Sequence, residues 1–384
     1  MKIAYLGKIQ LSDVDLSYLN AAQKQADITY ILEITPRFNQ GPAFNIDKIY
    51  NKSGIFKAVE AYPEFSKYSS FIDINKFYVV NTSGRLWQLK AFWTNFLLML
   101  FLIKNSFDLI HLVWPPNIYE FALYVLKKKM MLTVHDPFPH TGLDTFIVRL
   151  RRKFAFKFIK KLILLNKNQK QDFIDFYNID KSRIISSQLS CYTYLRTIKP
   201  KAESAFTDKP YILFIGKISP YKGIDYLLPA MEIIHKEHPN INLIAAGAGK
   251  YHFDITKYKS LDYIEFRNRF IPDDELVTLI KGSLFMVCPY TDATQSGVAM
   301  SAFAFAKPVV ATNVGGLPEM IKDNRYGIIV KEKDKDSLAK GLTTMLNNKE
   351  LIKEFSKNIS EDYSTGEKSW SYISEQLLNE IKNN

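Results

Sequence analysis

The stretch from Tyr211 to His235 constrains this chain more than any other. Five apolar residues, Tyr211-Ile212-Leu213-Phe214-Ile215, run through Gly216-Lys217-Ile218-Ser219-Pro220-Tyr221-Lys222-Gly223 into an apolar-periodic helix, Ile224 to His235. A strand that passes through a glycine loop into a helix opens a βαβ unit, and such units build parallel sheets. The glycine lets backbone approach a ligand closely. The helix offers unpaired N–H groups and the positive end of its dipole, and Lys217 and Lys222 add charge where a diphosphate would lie. Further on, Thr294-Gln295-Ser296-Gly297 opens a helix expected over Val298 to Ala306 as a second cradle. Neither loop has G-x-G-x-x-G or P-loop spacing, which argues against a generic dinucleotide or ATP site.

The alternation extends over the whole chain. Lys2 to Leu6 and Ile28 to Glu33 read as buried strands around a helix near Leu19 to Gln25. Thr35 to Gly84 is irregular, rich in Asn, Phe, Tyr and Lys, and is expected to hold short helices and acceptor-side loops. Strands follow at Leu109 to Val113, Met130 to Val134 and Leu162 to Leu165, with helices at Tyr119 to Lys127, Asp144 to Lys161 and from Asn166 toward Tyr177. This pattern predicts parallel, doubly wound sheets. The polar segment Ile198-Lys199-Pro200-Lys201-Ala202-Glu203-Ser204 lacks periodicity and reads as the domain linker. In open α/β sheets ligands bind beyond the carboxyl ends of strands, which places His135 and Lys217 at candidate sites in two different domains.

At 384 residues the chain accommodates two cores of ordinary size, and its net charge of +12 points to an anionic partner. Only two cysteines occur, Cys191 and Cys288, which fits a reducing compartment and two buried small side chains better than a disulfide framework. The N-terminus lacks the apolar length and cleavage site of a signal peptide. Leu86 to Ile103 is the longest apolar segment, but polar residues leave an unbroken run only from Phe96 to Ile103, too short to span a bilayer. It reads as a largely buried helix.

The order of the loops carries a family resemblance. Gly216-Lys217 with Lys222-Gly223, then Ala246-Gly247-Ala248-Gly249, then Phe270-Ile271-Pro272, then Lys307-Pro308-Val309-Val310-Ala311-Thr312-Asn313-Val314-Gly315-Gly316-Leu317-Pro318-Glu319 resembles the donor-binding half of glycosyltransferase family 4. The resemblance implies an α/β GT-B fold, two Rossmann-like domains facing a cleft. It also implies retaining transfer of sugar from a nucleotide-diphosphate sugar to a glycan or lipid-linked acceptor, in bacterial surface polysaccharide synthesis. The domains would be 1–197 for the acceptor, 205–366 for the donor, and a terminal helix, 367–384, packing back on the first. On this resemblance the donor meets Gly216, Lys217, Lys222, Gly249, Arg269, Phe270, Ile271, Gln295, Ser296, Gly297 and Ser301. His135 and Lys222 are the expected catalytic residues, with neither cofactor nor metal.

The chain departs from the family pattern in two ways. Lys217 stands where members carry Arg, which keeps the charge but loses the bidentate fork. The usual pair of glutamates is missing, its positions falling near Ala293 and on Ser301. The sugar-facing role then passes to Gln295, Ser296 and the backbone at Gly297.

Other constellations have plainer readings. Asp13-Val14-Asp15 and Asp334-Lys335-Asp336 read as solvated charge, away from the donor loops. His135, Asp136 and His140 lie in an irregular proline-rich loop with no further His or Cys nearby, a poor metal site. His111 is a weaker acceptor-site candidate. The helix from Arg149 to Lys161 is basic on one face and apolar on the other, suited to packing on the sheet or to holding anionic lipid headgroups. No RRM, zinc-finger or helix-turn-helix signature supports nucleic acid as partner. The expected location is the cytoplasm, at the inner face of the plasma membrane. The competing readings are a nucleotide-sugar epimerase or hydrolase of the same fold and a non-catalytic basic binding protein.

Overall fold

The computed structural model describes residues 1–83, 89–138, 145–200 and 209–383. The chain divides into two units, one of residues 1–189 with 370–384 and one of residues 190–369. Each has its own apolar core.

The first unit holds β1 (Lys2–Lys8), β2 (Asp27–Ile34), β3 (Gly54–Lys57), β4 (Phe77–Asn81), β5 (Leu109–Leu112), β6 (Met130–Val134), β7 (Lys161–Leu164) and β8 (Ile184–Ser186). They form one sheet in the order β3-β4-β2-β1-β5-β6-β7-β8, parallel except where β3 runs against β4. The second unit holds β9 (Tyr211–Ile215), β10 (Asn242–Ala246), β11 (Ile264–Arg267), β12 (Met286–Cys288), β13 (Val309–Thr312) and β14 (Gly327–Val330). Their order is β11-β10-β9-β12-β13-β14 with parallel pairing throughout. Central strands such as β9 and β10 are buried on every residue, as expected for sheets covered on both faces. In each sheet the chain winds outward from its first strand, returns, and winds out the other way, so order reverses beside β1 and beside β9.

Several expectations need correction. Thr35 to Gly84 is not merely irregular, because it contributes β3 and β4. Phe44, Phe65 and Phe77 stack there with centroids 4.7 to 5.9 Å apart, a small aromatic core that disguises strand periodicity. The first helix is Ser12–Ala22, earlier than Leu19 to Gln25. Asp15 on it is not solvated: it is fully buried and accepts hydrogen bonds from Tyr5 at 2.8 Å and Tyr30 at 3.2 Å. Burial holds its carboxyl well above the usual range. Asp334, by contrast, caps the surface helix Lys335–Asn347. The apolar helix, described as Leu89–Lys104, buries only one face, through Ala91, Thr94, Asn95, Leu98 and Leu102.

The unit boundary falls at Leu189, about ten residues before the polar segment read as a linker. Ser190 to Thr197 packs with the second unit: Tyr192 N–H donates to Met300 O at 3.2 Å, and Arg196 Nε to Ala304 O at 2.6 Å. Of the linker, residues 201–208 lie outside the described residues. The terminal helix Trp370–Lys382 packs on Ser12–Ala22, where Trp370 meets Tyr18 edge-on at 5.9 Å.

Candidate active site

In the second unit β9 lies between β10 and β12, the point where strand order reverses and where open α/β sheets bind ligands. The chain leaves β9 through Gly216, whose φ of +132° suits glycine, and turns through the short helix Pro220–Lys222 to Gly223 at φ +66°. A Cβ on Gly223 would stand 1.8 Å from the Pro289 carbonyl oxygen, so only glycine lets this loop close against the end of β12. Thr291 N–H donates to Tyr221 O at 2.8 Å and ties the two loops together.

That closure seats Lys222. It is 9% exposed, and its Nζ lies 3.7 Å from the Tyr290 ring centroid and 5.0 Å from that of Tyr221. Among the described residues no carboxylate pairs with it. Burial pushes its pKa down to about 8, against a weak upward pull from Cys288. A buried ammonium without a counter-ion is costly unless an anion completes the site. Lys217, five residues earlier in the same loop, is exposed.

The second loop delivers the helix Gly297–Ala304, one residue earlier than the sequence pattern implied. Ser296 is its N-cap, 1% exposed, with its hydroxyl accepting from Ala299 N–H at 3.2 Å and 3.3 Å from Tyr290 Oη. Ser296 therefore orients the helix from beneath. The first N–H groups beyond a cap have no partner within the helix, and this first turn lies beside the Gly216 loop: a Cβ on Gly216 would lie 3.5 Å from Val298 Cγ2. Ser301, at the missing glutamate position, donates its hydroxyl to Gly297 O at 2.9 Å and is occupied within its own helix. Gln295 is half-buried just before the cap.

The remaining donor-side positions lie at the ends of the neighbouring strands. Gly249 follows β10 and donates its N–H to Asn268 Oδ1 at 3.0 Å. Arg269 follows β11 and is ion-paired to the buried Glu275 at 2.8 Å, which Arg267 also contacts at 2.8 Å. Phe270 is 67% exposed and Ile271 half-buried, an apolar surface roughly two strand spacings, about 10 Å, from β9.

In the first unit His135 follows β6 and borders a cavity of about 390 Å³ lined also by Arg37, Trp114, Arg151 and Arg152. Burial lowers its pKa to about 4, so the imidazole is neutral near pH 7, and Nε2 has no partner among the described residues. Its loop is held by Arg152, which donates to the carbonyls of Asp136 and Pro137. His140, read with His135 as a metal alternative, lies outside the described residues. His111 is not at an accessible surface: it is 4% exposed, bonded to Thr133 Oγ1 at 2.7 Å and packed edge-on to Tyr5.

Sequence reasoning missed Tyr290, the ring beneath Lys222, although Cys288-Pro289-Tyr290 follows a strand and so marks a carboxyl end. It also missed a second cavity of about 280 Å³ lined by Lys8, Gln10, Glu33, Trp114, Asn117 and Arg151. Gly7-Lys8 at the end of β1 was the available signal.

The family described as Glycosyl transferases group 1 matches residues 196–362. An uncharacterized glycosyltransferase of Haemophilus influenzae is 28% identical over 248 residues, covering 63% of this chain and 68% of the relative. Sucrose-phosphate synthase from Thermosynechococcus elongatus superposes with a TM-score of 0.69 at 16% identity, over 100% of this chain and 98% of that one. Anabaena HepE in complex with UDP and glucose superposes with a TM-score of 0.69 at 14% identity, over 100% of both chains. The chain has the GT-B fold of these glycosyltransferases, and its residues 196–362 match the group 1 glycosyl transferases.

Proposed function

We propose that the protein moves a sugar from a nucleotide-diphosphate sugar to a hydroxyl of a glycan or lipid-linked acceptor, with retention of configuration, in bacterial surface polysaccharide synthesis. One observation carries the donor assignment. Lys222 is buried at the reversal of strand order, against aromatic rings, with no carboxylate among the described residues to neutralise it. Such a cation suits the diphosphate of a donor, and the exposed Phe270 suits its base.

As the bond from sugar C1 to the diphosphate oxygen breaks, negative charge gathers on the leaving group. Lys222, Lys217 and the N-terminus of Gly297–Ala304 stabilise that charge more than they stabilise the bound donor. The acceptor oxygen attacks C1 from the face the diphosphate leaves, and its proton passes to the departing phosphate oxygen. His135, neutral and with Nε2 unpartnered among the described residues, orients a sugar hydroxyl. No divalent ion is required, because the positive charge comes from the protein.

The test is a panel of nucleotide-sugars, beginning with UDP-glucose, with and without lipid-linked acceptors and with chelator, read by NMR at the anomeric position. Acceptor-dependent product with retained configuration, unaffected by chelator, is expected. Release of free or epimerised sugar without acceptor would replace this reading with the hydrolase or epimerase one. An inverted product, or turnover restored to chelated protein by magnesium or manganese, would contradict the mechanism.

A further inference from the structure

Soluble proteins rarely leave large contiguous apolar surface open to water. In the first unit three neighbouring helical segments do so. On Leu89–Lys104 the residues Leu89, Phe92, Trp93, Phe96, Leu100 and Ile103 are all exposed, Leu89 by 86% and Trp93 by 60%. At about 100° per residue they fall within a stripe about 100° wide, opposite the face that packs on the sheet. The segment Ile118–Lys129 exposes Ile118, Phe121 and Val125, and the helix Phe146–Phe158 exposes Phe146, Ile147 and Leu150.

The topology sets these segments side by side. They connect β4 to β5, β5 to β6 and β6 to β7, steps that all move the same way across the sheet. Right-handed crossovers moving in one direction lie on one face. Ile118–Lys129 packs against both neighbours, with Phe121 and Tyr124 meeting Phe154 at 5.5 and 4.9 Å. The three stripes therefore share one outward face.

The charge on this face selects its occupant. The three segments carry ten lysines and arginines and a single acid, Glu120, which is turned inward to Lys8. Lys127, Lys128, Lys153 and Lys157 are exposed among the apolar side chains. A second copy of this chain docking face to face would set lysine against lysine, since a two-fold interface pairs a surface with itself. A bilayer with anionic headgroups matches both features, apolar depth for the stripes and negative charge for the lysines. No helix among the described residues is long and apolar enough to cross a membrane.

We propose that this three-helix face is a membrane-docking surface that lies in the interface of an anionic bilayer. The sequence pointed only to the basic helix near Arg149, whereas the structure adds the twelve-residue apolar face on which binding depends. The inference is independent of sugar transfer, so a failed activity assay leaves it untouched.

The test is sedimentation of the full chain with vesicles of phosphatidylcholine alone or mixed with phosphatidylglycerol. Partition into the anionic vesicles should exceed that into neutral ones by on the order of tenfold or more and weaken with salt. Trp93→Ser with Ile147→Ser, and separately Lys128→Glu with Lys153→Glu, should each lower it by on the order of tenfold with the melting temperature unchanged. Lys353→Glu with Lys357→Glu, the same charge change in the second unit, should leave it intact. Equal partition into both vesicle types, an equal loss in the second-unit variant, or indifference to both first-unit variants would overturn the proposal. So would a dimer dissolved by Trp93→Ser in a protein that ignores vesicles.

Discussion

The two sheets reverse order in the same way and place a lysine near the reversal in each, yet the two lysines have opposite surroundings. Lys8, at the end of β1, is ion-paired to Glu33 and to Glu120, the latter at 2.7 Å. Burial works against its charge, but Glu120 and Glu33 outweigh it and hold its pKa above the ordinary lysine value. Lys222, beyond β9, meets aromatic rings and, among the described residues, no carboxylate, and burial takes its pKa down to about 8. The shared fold supplies a lysine at each carboxyl end, and the neighbours decide whether its charge is available to a ligand. The first is committed within the protein, in a cavity that Trp114 and Arg151 also line. The second is left for an anion.

This contrast is most exposed to mutation at Lys8. Lys8→Met leaves Glu33 and Glu120 buried without their cation, and loss of one partner from a buried pair costs about 3–5 kcal/mol. Thermal unfolding should show a large fall in melting temperature, and an unchanged value would show that the pair is more hydrated than its burial implies.

Next in size is the kinetic effect at the other lysine. Lys222→Ala should lower kcat on the order of 10²-fold, the scale of removing one preorganised charge-stabilising donor. His135→Ala should reduce transfer more than nucleotide affinity. A rise in KM alone for Lys222→Ala would mean the lysine binds ground and transition states equally.

The smallest effect has the opposite sign from the Lys8 variant. The unfolded chain binds the Lys222 proton at the ordinary value of 10.5, the folded one at about 8. The unfolded state therefore holds more protons between those values, so the burial cost is full below about pH 8 and fades as pH rises toward 10.5. Lys222→Met removes that cost and should stabilise the ligand-free protein by on the order of 1–3 kcal/mol at neutral pH, raising its melting temperature by a few degrees while slowing transfer as Lys222→Ala does. A fall in melting temperature would place an unseen stabilising partner at the ammonium.

Much of this was legible in the sequence because local chemistry was consistent with the fold. Tyr211 to Gly223 was read residue by residue, since strand, glycine loop and helix follow one another without a break. The parallel, doubly wound sheets followed from alternation, and the GT-B arrangement from the family resemblance. Less legible was whatever depends on contacts distant in sequence. Lys217 and Lys222 look alike in the sequence, but only the approach of Gly223 to Pro289 buries one of them. Ser296 and Ser301 looked like ligands, and their hydroxyls are committed to their own helix. Leu86 to Ile103 looked like core because apolar content does not say which face meets the sheet, and from Leu89 on one whole face is exposed.

The central claim is that Lys222 holds its charge for the donor diphosphate, and calorimetric titration of the intact protein with a nucleoside diphosphate across pH tests it most directly. The phosphate itself finishes ionising near pH 6, so above about pH 7 only the protein's groups titrate. Affinity should hold to about pH 8 and then fall by about tenfold per pH unit, and Lys222→Met should bind weakly at every pH with that dependence gone. Affinity that stays level from about pH 7 to about pH 9.5, or a variant that binds as tightly as the parent, would contradict it.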